Sequence, residues 1–266
     1  MSANFHTHTL LCDGSNTPEE VACAAIQKGF SAIGFSGHGY TDFDLSYCIK
    51  NMDEYIREID RLKEKYKNQI QIYLGVEEDF FSPIKRSDFD YIIGSAHYIL
   101  KDGRYYPVDL STEGFDRCLE VFGGNYLALA EAYYRPFCDY IKSRKPDIIG
   151  HFDLITKYDE KNQLMLLSDK KYNLIAEKYI SNAAEADCIF EVNTGAISRG
   201  LRTSPYPSEN LLYVLKRLGC KIILSSDSHA ADTLDFGFEE TKKYLRDIGF
   251  RYAYTLYNNE FIKEDL

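Results

Sequence analysis

Short apolar runs rich in β-branched and aromatic residues alternate along this chain with longer segments whose apolar positions recur every three or four residues. The first pair sets the rhythm. Residues 4–9 read as a strand; Thr17, Pro18, Glu19 and Glu20 then open a helix running to about residue 28, with proline in its first turn and acids at its positive end, and Gly29 stops it. The same reasoning predicts strands over 32–36, 70–77 and 90–98, with a charged amphipathic helix over 53–66. A loop of about fifteen residues is expected from Lys101, then a helix over 126–143 and a strand over 147–153. Helices over 169–186, 208–219 and 238–249 each precede a strand, over 188–194, 221–227 and 251–256. Repeated strand, loop and helix without a break in composition argue for one α/β domain spanning residues 1–266, with a largely parallel sheet. Seven or eight strands predict a closed or nearly closed barrel. The open doubly wound sheet is the weaker alternative, because no G-x-G-x-x-G or G-x-x-x-x-G-K-[ST] follows any strand.

Composition narrows the function. With 31 Lys and Arg against 41 Asp and Glu the formal charge is −10, which disfavours a surface for nucleic acid or anionic membrane, since phosphate contacts need clustered cations. The seven cysteines are odd in number and contain no C-x-x-C pair, so reduced thiols and a cytoplasmic compartment are expected. The N-terminus has no basic segment followed by an apolar one, and no apolar run approaches the roughly 20 residues of a membrane span.

The histidines carry the chemistry. There are six: His6 and His8 end the first predicted strand, His38 follows the second, His97 ends the fourth, His151 lies in the fifth, and His229 follows the seventh. In a parallel barrel all strand C-termini open on one face, where such folds build active sites. Residues two apart on a strand share a face, so His6 with His8, and Asp227 with His229, can point at one centre. Glu77 ends the third strand, Asp13 lies just past the first, and Glu191 with Asn193 ends the sixth. A lone H-x-H is more often a pair of surface or core histidines than a metal site. Six histidines confined to strand ends, with none on a helix, reverse that weighting. Imidazole with carboxylate and no thiolate spacing suits zinc, manganese or iron at open catalytic positions, and so many donors suit two or three ions about 3.5–4 Å apart. Glu191 is left open between ligand and supporting group.

These residues sit in motifs that resemble the PHP (polymerase and histidinol phosphatase) metal-dependent phosphoesterases, and within them the histidinol-phosphate phosphatase branch: His6-Thr7-His8 with Asp13-Gly14, Ser36-Gly37-His38-Gly39, Gly75-Val76-Glu77, Gly94-Ser95-Ala96-His97, Ile149-Gly150-His151-Phe152-Asp153, Glu191-Val192-Asn193-Thr194 and Ser226-Asp227-Ser228-His229. The resemblance implies a distorted (β/α)7 TIM-like barrel holding two or three divalent metals. It implies His6, His8, Glu77 and Asp227 around one metal, Glu77 bridging to a second held by His97 and His151, and His38 with His229 around a third. Many members have histidine near position 13, where this chain has Asp13. Glu77 and Asp227 are the expected catalytic carboxylates. The implied activity is hydrolysis of a small phosphate monoester, L-histidinol phosphate first, with nucleotides or other phosphate esters as the alternative and a non-catalytic metal module as the third reading.

For the phosphate, the loop after the sixth strand carries Arg199 and Arg202, and guanidinium forks match phosphate oxygens; Lys157, six residues beyond His151, adds a third cation. The resemblance places a phosphate-binding arginine in this loop, with Arg199 first. The segment 101–113, with Tyr105, Tyr106 and Asp109, is the candidate cover for the leaving group.

Overall fold

The computed structural model describes residues 3–162 and 166–266, so Met1 and Ser2 of the N-terminal reading lie outside the described residues. In chain order the elements are β1 (Ala3–Asn4), α1 (Pro18–Gln27), β2 (Ala32–Phe35), α2 (Met52–Tyr66), β3 (Gln71–Asp79), β4 (Tyr91–Ser95), β5 (Tyr98–Lys101), β6 (Arg104–Pro107), α3 (Thr112–Val121), α4 (Tyr126–Arg144), β7 (Ile148–Ile149), α5 (Asp159–Asn162), α6 (Lys170–Ala184), β8 (Ile189–Asn193), α7 (Gly195–Ser198), α8 (Glu209–Leu218), β9 (Ile222–Ser225), α9 (Phe238–Ile248), β10 (Tyr252–Tyr257) and β11 (Glu260–Asp265).

Local chemistry explains where the helices start and stop. At α1 the Glu20 amide donates to the Thr17 hydroxyl at 3.2 Å and the Thr17 amide donates back to the Glu20 carboxylate at 2.8 Å, closing a capping box. Gly219 and Gly249 end α8 and α9 at φ 71° and 106°, a left-handed region that costs glycine little. Helix α2 turns Tyr55, Ile59 and Leu62 inward, one stripe at helical spacing, and leaves its charges in water.

Seven strands pair in parallel in the order β1-β2-β3-β4-β7-β8-β9. The ring closes where Thr7 bridges Ser228: the His8 amide donates to the Ser228 carbonyl at 2.8 Å and the Ser228 amide to the His6 carbonyl at 3.1 Å. The fold is therefore an α/β barrel of the distorted TIM kind. Its interior is filled by Phe5, Tyr73, Tyr91, Ile93, Ile148, Ile189 and Ile223. Tyr91 lies across the barrel and donates to the Phe5 carbonyl at 2.5 Å. A Cβ at Gly34 or Gly75 would come within 2.2 Å of its ring or hydroxyl, so both positions need glycine to admit it. Outside the ring, α4, α6 and α8 pack in series over one large apolar cluster, and α1 with α2 cover β2 and β3.

Three expectations are corrected. The strand expected over 251–256 is no ring member: it is β10, which meets β9 at Tyr254 and Ile223 and turns back antiparallel as β11. The expected loop from Lys101 is the end of a hairpin, β5 with β6, turned by Asp102 and Gly103 at φ 51° and 75° and followed by α3. The first and fifth ring strands are shorter than 4–9 and 147–153, the first continuing past Asn4 through the Thr7–Ser228 bridge. All seven cysteines are unpaired, and no described helix is long and apolar enough to cross a membrane.

Candidate metal centre

Strand alternation delivers the donors as pairs. His6 and His8 face the barrel mouth while Thr7 between them turns away, donating its hydroxyl to the Gly34 carbonyl at 2.8 Å. Glu77 is the hub. Its carboxylate is buried, with Oε2 3.1 Å from His6 Nε2, 3.5 Å from His8 Nε2 and 2.9 Å from His38 Nδ1, and Oε1 3.2 Å from His97 Nε2 and 2.8 Å from His151 Nε2. Asp227 Oδ1 lies 3.2 Å from His8 Nε2, 3.6 Å from His6 Nε2 and 3.7 Å from His229 Nδ1. Asp13 Oδ2 lies 3.2 Å from His229 Nε2 and 3.6 Å from His38 Nε2, while its Oδ1 is 3.4 Å from His8 Nδ1. All nine residues read from the sequence as metal donors thus meet at one mouth.

Their pairing is more interleaved than the family resemblance implies. Donor atoms within 4.8 Å of one another form four groups: His6, His8 and Asp227; His6, Glu77 and His151; His38, Glu77 and His97; and His8, Asp13, His38 and His229. Asp13 takes a full place in the last.

The donor chemistry fits cations. His6 Nε2, His8 Nε2 and Glu77 Oε2, which face one another at the centre, are buried without a hydrogen-bond partner, a costly state unless a cation neutralises them. The electrostatics agree. Burial disfavours protonation of His6, but Glu191, Glu77 and Asp227 outweigh it and raise its pKa well above the ordinary value. Burial likewise opposes a charged His38, yet Glu77 and Asp13 push it up to about 9. Burial is the main reason His8 goes the other way, helped by the neighbouring His229 and His38. Desolvation favours a neutral Glu77, and the surrounding histidines reverse this and hold it well below the carboxylate range.

Supporting groups explain the orientation. Glu191 resolves to one of these: its Oε1 lies 2.5 Å from His6 Nδ1, and its Oε2 accepts from the His151 amide at 2.8 Å and from Asn193 at 3.0 Å. That fixes the His6 tautomer so that Nε2 faces the centre. Asp79 stands 3.4 Å from His97 Nδ1, a role missed in the sequence although Asp79 shares a strand face with Glu77. Glu78, between them, faces outward and is clamped by Arg144 at 2.9 and 2.8 Å and by the Tyr140 hydroxyl at 2.5 Å, anchoring the end of β3.

The three predicted phosphate cations separate. Arg199 and Lys157 line a cavity of about 310 Å³ that opens over the donors. Arg199 donates to Asp227 Oδ2 at 3.1 Å and to its carbonyl at 3.2 Å, and Lys157 donates to Asp109 at 3.0 Å. Arg202 does not reach the mouth. It is 3% exposed, stacks on Tyr206 at 4.4 Å and donates to Thr156, Ser204 and Ser208, because the loop turns it inward after Gly200 at φ 65°. Of the expected cover, Asp109 lines the cavity, whereas Tyr105 stacks on Phe43 at 4.1 Å and Tyr106 packs on the core.

A seven-stranded parallel barrel whose mouth gathers nine imidazole and carboxylate donors has the makings of a metal-dependent hydrolase. Residues 4–195 match the family model of the PHP domain, and the chain belongs to that family. It is similar to "Probable histidinol-phosphatase" of Schizosaccharomyces pombe, 28% identical over 94% of this chain and 87% of the relative, and to "Histidinol-phosphatase" of Bacillus subtilis, 26% identical over 88% and 96%. Its fold resembles the histidinol phosphate phosphatase of Lactococcus lactis, solved with zinc, L-histidinol and phosphate, at TM-score 0.63 and 21% identity over 98% of both chains.

Proposed function

We propose that this chain, acting as one domain, is a phosphoric monoester hydrolase that converts L-histidinol phosphate to L-histidinol and phosphate, a step of histidine biosynthesis in the cytoplasm. The observation that carries the reading is Glu77 set among five histidines, with orphaned donor atoms beneath a cavity holding Arg199 and Lys157. The names of the relatives support the substrate. His6, His8, Asp13, His38, Glu77, His97, His151, Asp227 and His229 would hold two or three ions of zinc, manganese or iron. Divalent cations bound there lower the pKa of a coordinated water from 15.7 toward about 7 and neutralise charge on phosphoryl oxygens.

The protein's own groups do the rest. Arg199 offers its guanidinium to the non-bridging phosphate oxygens as charge builds on them, and Lys157 adds a second cation on the same side. Asp227 stays ionised: burial alone would neutralise it, but His6 and Arg199 hold its pKa well down. Its carboxylate orients the attacking water, and the proton that water gives up passes to the leaving alkoxide as the P–O bond breaks. Phosphate release from L-histidinol phosphate, nucleoside monophosphates and sugar phosphates, measured side by side, tests the assignment. A preference for L-histidinol phosphate is expected; a strong preference for a nucleotide overturns the substrate and leaves the metal centre standing.

A further inference from the structure

A groove larger than the catalytic cavity is formed by the loop after α7 and the starts of α8 and α9. Its volume is about 670 Å³ against about 310 Å³, within the ordinary range for small-molecule sites, and the two share no lining residue. Ile197, Pro205, Phe236 and Tyr244 give it an apolar wall. The wall is preformed. The Phe236 carbonyl accepts from the Thr194 hydroxyl at 2.8 Å and its amide donates to the Thr233 carbonyl at 3.1 Å, which fixes the backbone while the ring stays 41% exposed.

The charges on this wall are of one sign. Among the described residues that line the groove there are two carboxylates, Glu209 and Glu240, and no lysine, arginine or histidine. Both stand in the first turn of a helix, Glu209 in α8 and Glu240 in α9, where the helix dipole favours an acid. That accounts for their being acids and leaves them without a counter-charge. Neither forms an ion pair with a described residue, whereas Glu239, in the same turn of α9 but outside the groove, is held by Lys242 at 2.8 Å. Aromatic rings beside unpaired carboxylates complement a cation with an apolar body: the rings take the body and the face of the cation, and the carboxylates take its N–H groups.

We propose that this groove is a second ligand site, taking a small organic ammonium ion with an aromatic body. It goes beyond the proposed function and stands whatever ester is cleaved at the mouth. Helix α7 lies between the two sites, since Ile197 lines the groove and Arg199, two residues further on, lines the catalytic cavity.

The probe is 2-phenylethylamine, a cation at neutral pH, compared with 2-phenylethanol, which keeps the ring and loses the charge. Ligand-observed NMR titration of the metal-loaded full chain should show the amine binding at least tenfold tighter than the alcohol, the worth of one charge-assisted bond. Glu209→Gln combined with Glu240→Gln should bring that ratio close to one and leave phosphate release at its wild-type rate, because neither residue reaches the mouth. Phe236→Ala should weaken both compounds. Glu239→Gln removes the same charge beside the groove and should leave the ratio unchanged. A wild-type ratio near one overturns the proposal. So does a ratio that survives in the double variant, which puts the amine in another site, and so does a fall in Glu239→Gln as large as in Glu240→Gln alone, which makes the preference a general attraction to an acidic surface.

Discussion

Replacing Glu77 with glutamine changes one oxygen into an NH2 group and removes one charge, at a residue shared by two of the four donor groups. An amide has a single neutral acceptor oxygen and its nitrogen cannot ligate. Whichever way the amide turns, either the His6, His8 and His38 side or the His97 and His151 side loses its carboxylate oxygen, and the other keeps a weaker one. A metal at 100 times its dissociation constant stabilises the native state by about 2.7 kcal/mol per site. For a chain of this size roughly 2–4 °C of melting temperature accompanies each kcal/mol, so each site should add about 5–11 °C on loading. Glu77→Gln should lose at least one such increment and bind at least one ion fewer, with phosphate release falling more than a hundredfold. The assay is thermal melting of chelator-stripped protein against added zinc or manganese, with metal content measured after desalting. Full stoichiometry and the full wild-type increment in the variant would refute the place given to Glu77.

Four further outcomes are expected. Glu191→Gln weakens the hold on the His6 ring and should cost roughly 10- to 100-fold in metal affinity, read by competition with a chromogenic chelator; unchanged affinity removes Glu191 from the site's support. Arg144→Met strands the buried Glu78 charge and should cost about 2–4 kcal/mol by urea titration, less than a fully buried pair because Arg144 keeps 25% exposure, while Glu78→Gln added to it recovers part of the loss. Arg199→Ala should lower kcat/KM for phosphate monoesters about 10- to 100-fold, whereas Arg202→Ala should show chiefly as lost stability, and equal kinetic effects would return Arg202 to the mouth. In chelator-treated protein the His38 pKa of about 9 lies above its unfolded value near 6.5, so its stabilisation is complete below about pH 6.5 and fades as pH rises to about 9; metal affinity should rise over the same window, because ligation displaces the proton.

The donors were legible because strand ends and a period of two are backbone rules that survive any packing detail. His6 with His8 and Asp227 with His229 could be paired on paper for that reason, and the helices with a capping signal or a terminal glycine end within a residue or two of expectation. What the sequence left unread depended on φ angles and on partners far along the chain. The Asp102-Gly103 hairpin had its turn signal in plain view. Arg199 and Arg202 could not be told apart, since one left-handed residue, Gly200, decides which faces the cavity.

The ring closes between residues 7 and 228, and the metal donors straddle that seam, His6 and His8 on one lip and Asp227 and His229 on the other. During synthesis the first two donors emerge almost at once, yet the third member of their group is some 220 residues behind. A nascent chain therefore carries a half-built site until β9 and the turn after it have left the ribosome. A chain cut short just before Asp227 keeps five of the six histidines but lacks Asp227 and His229, the lip of the seam that faces His6 and His8.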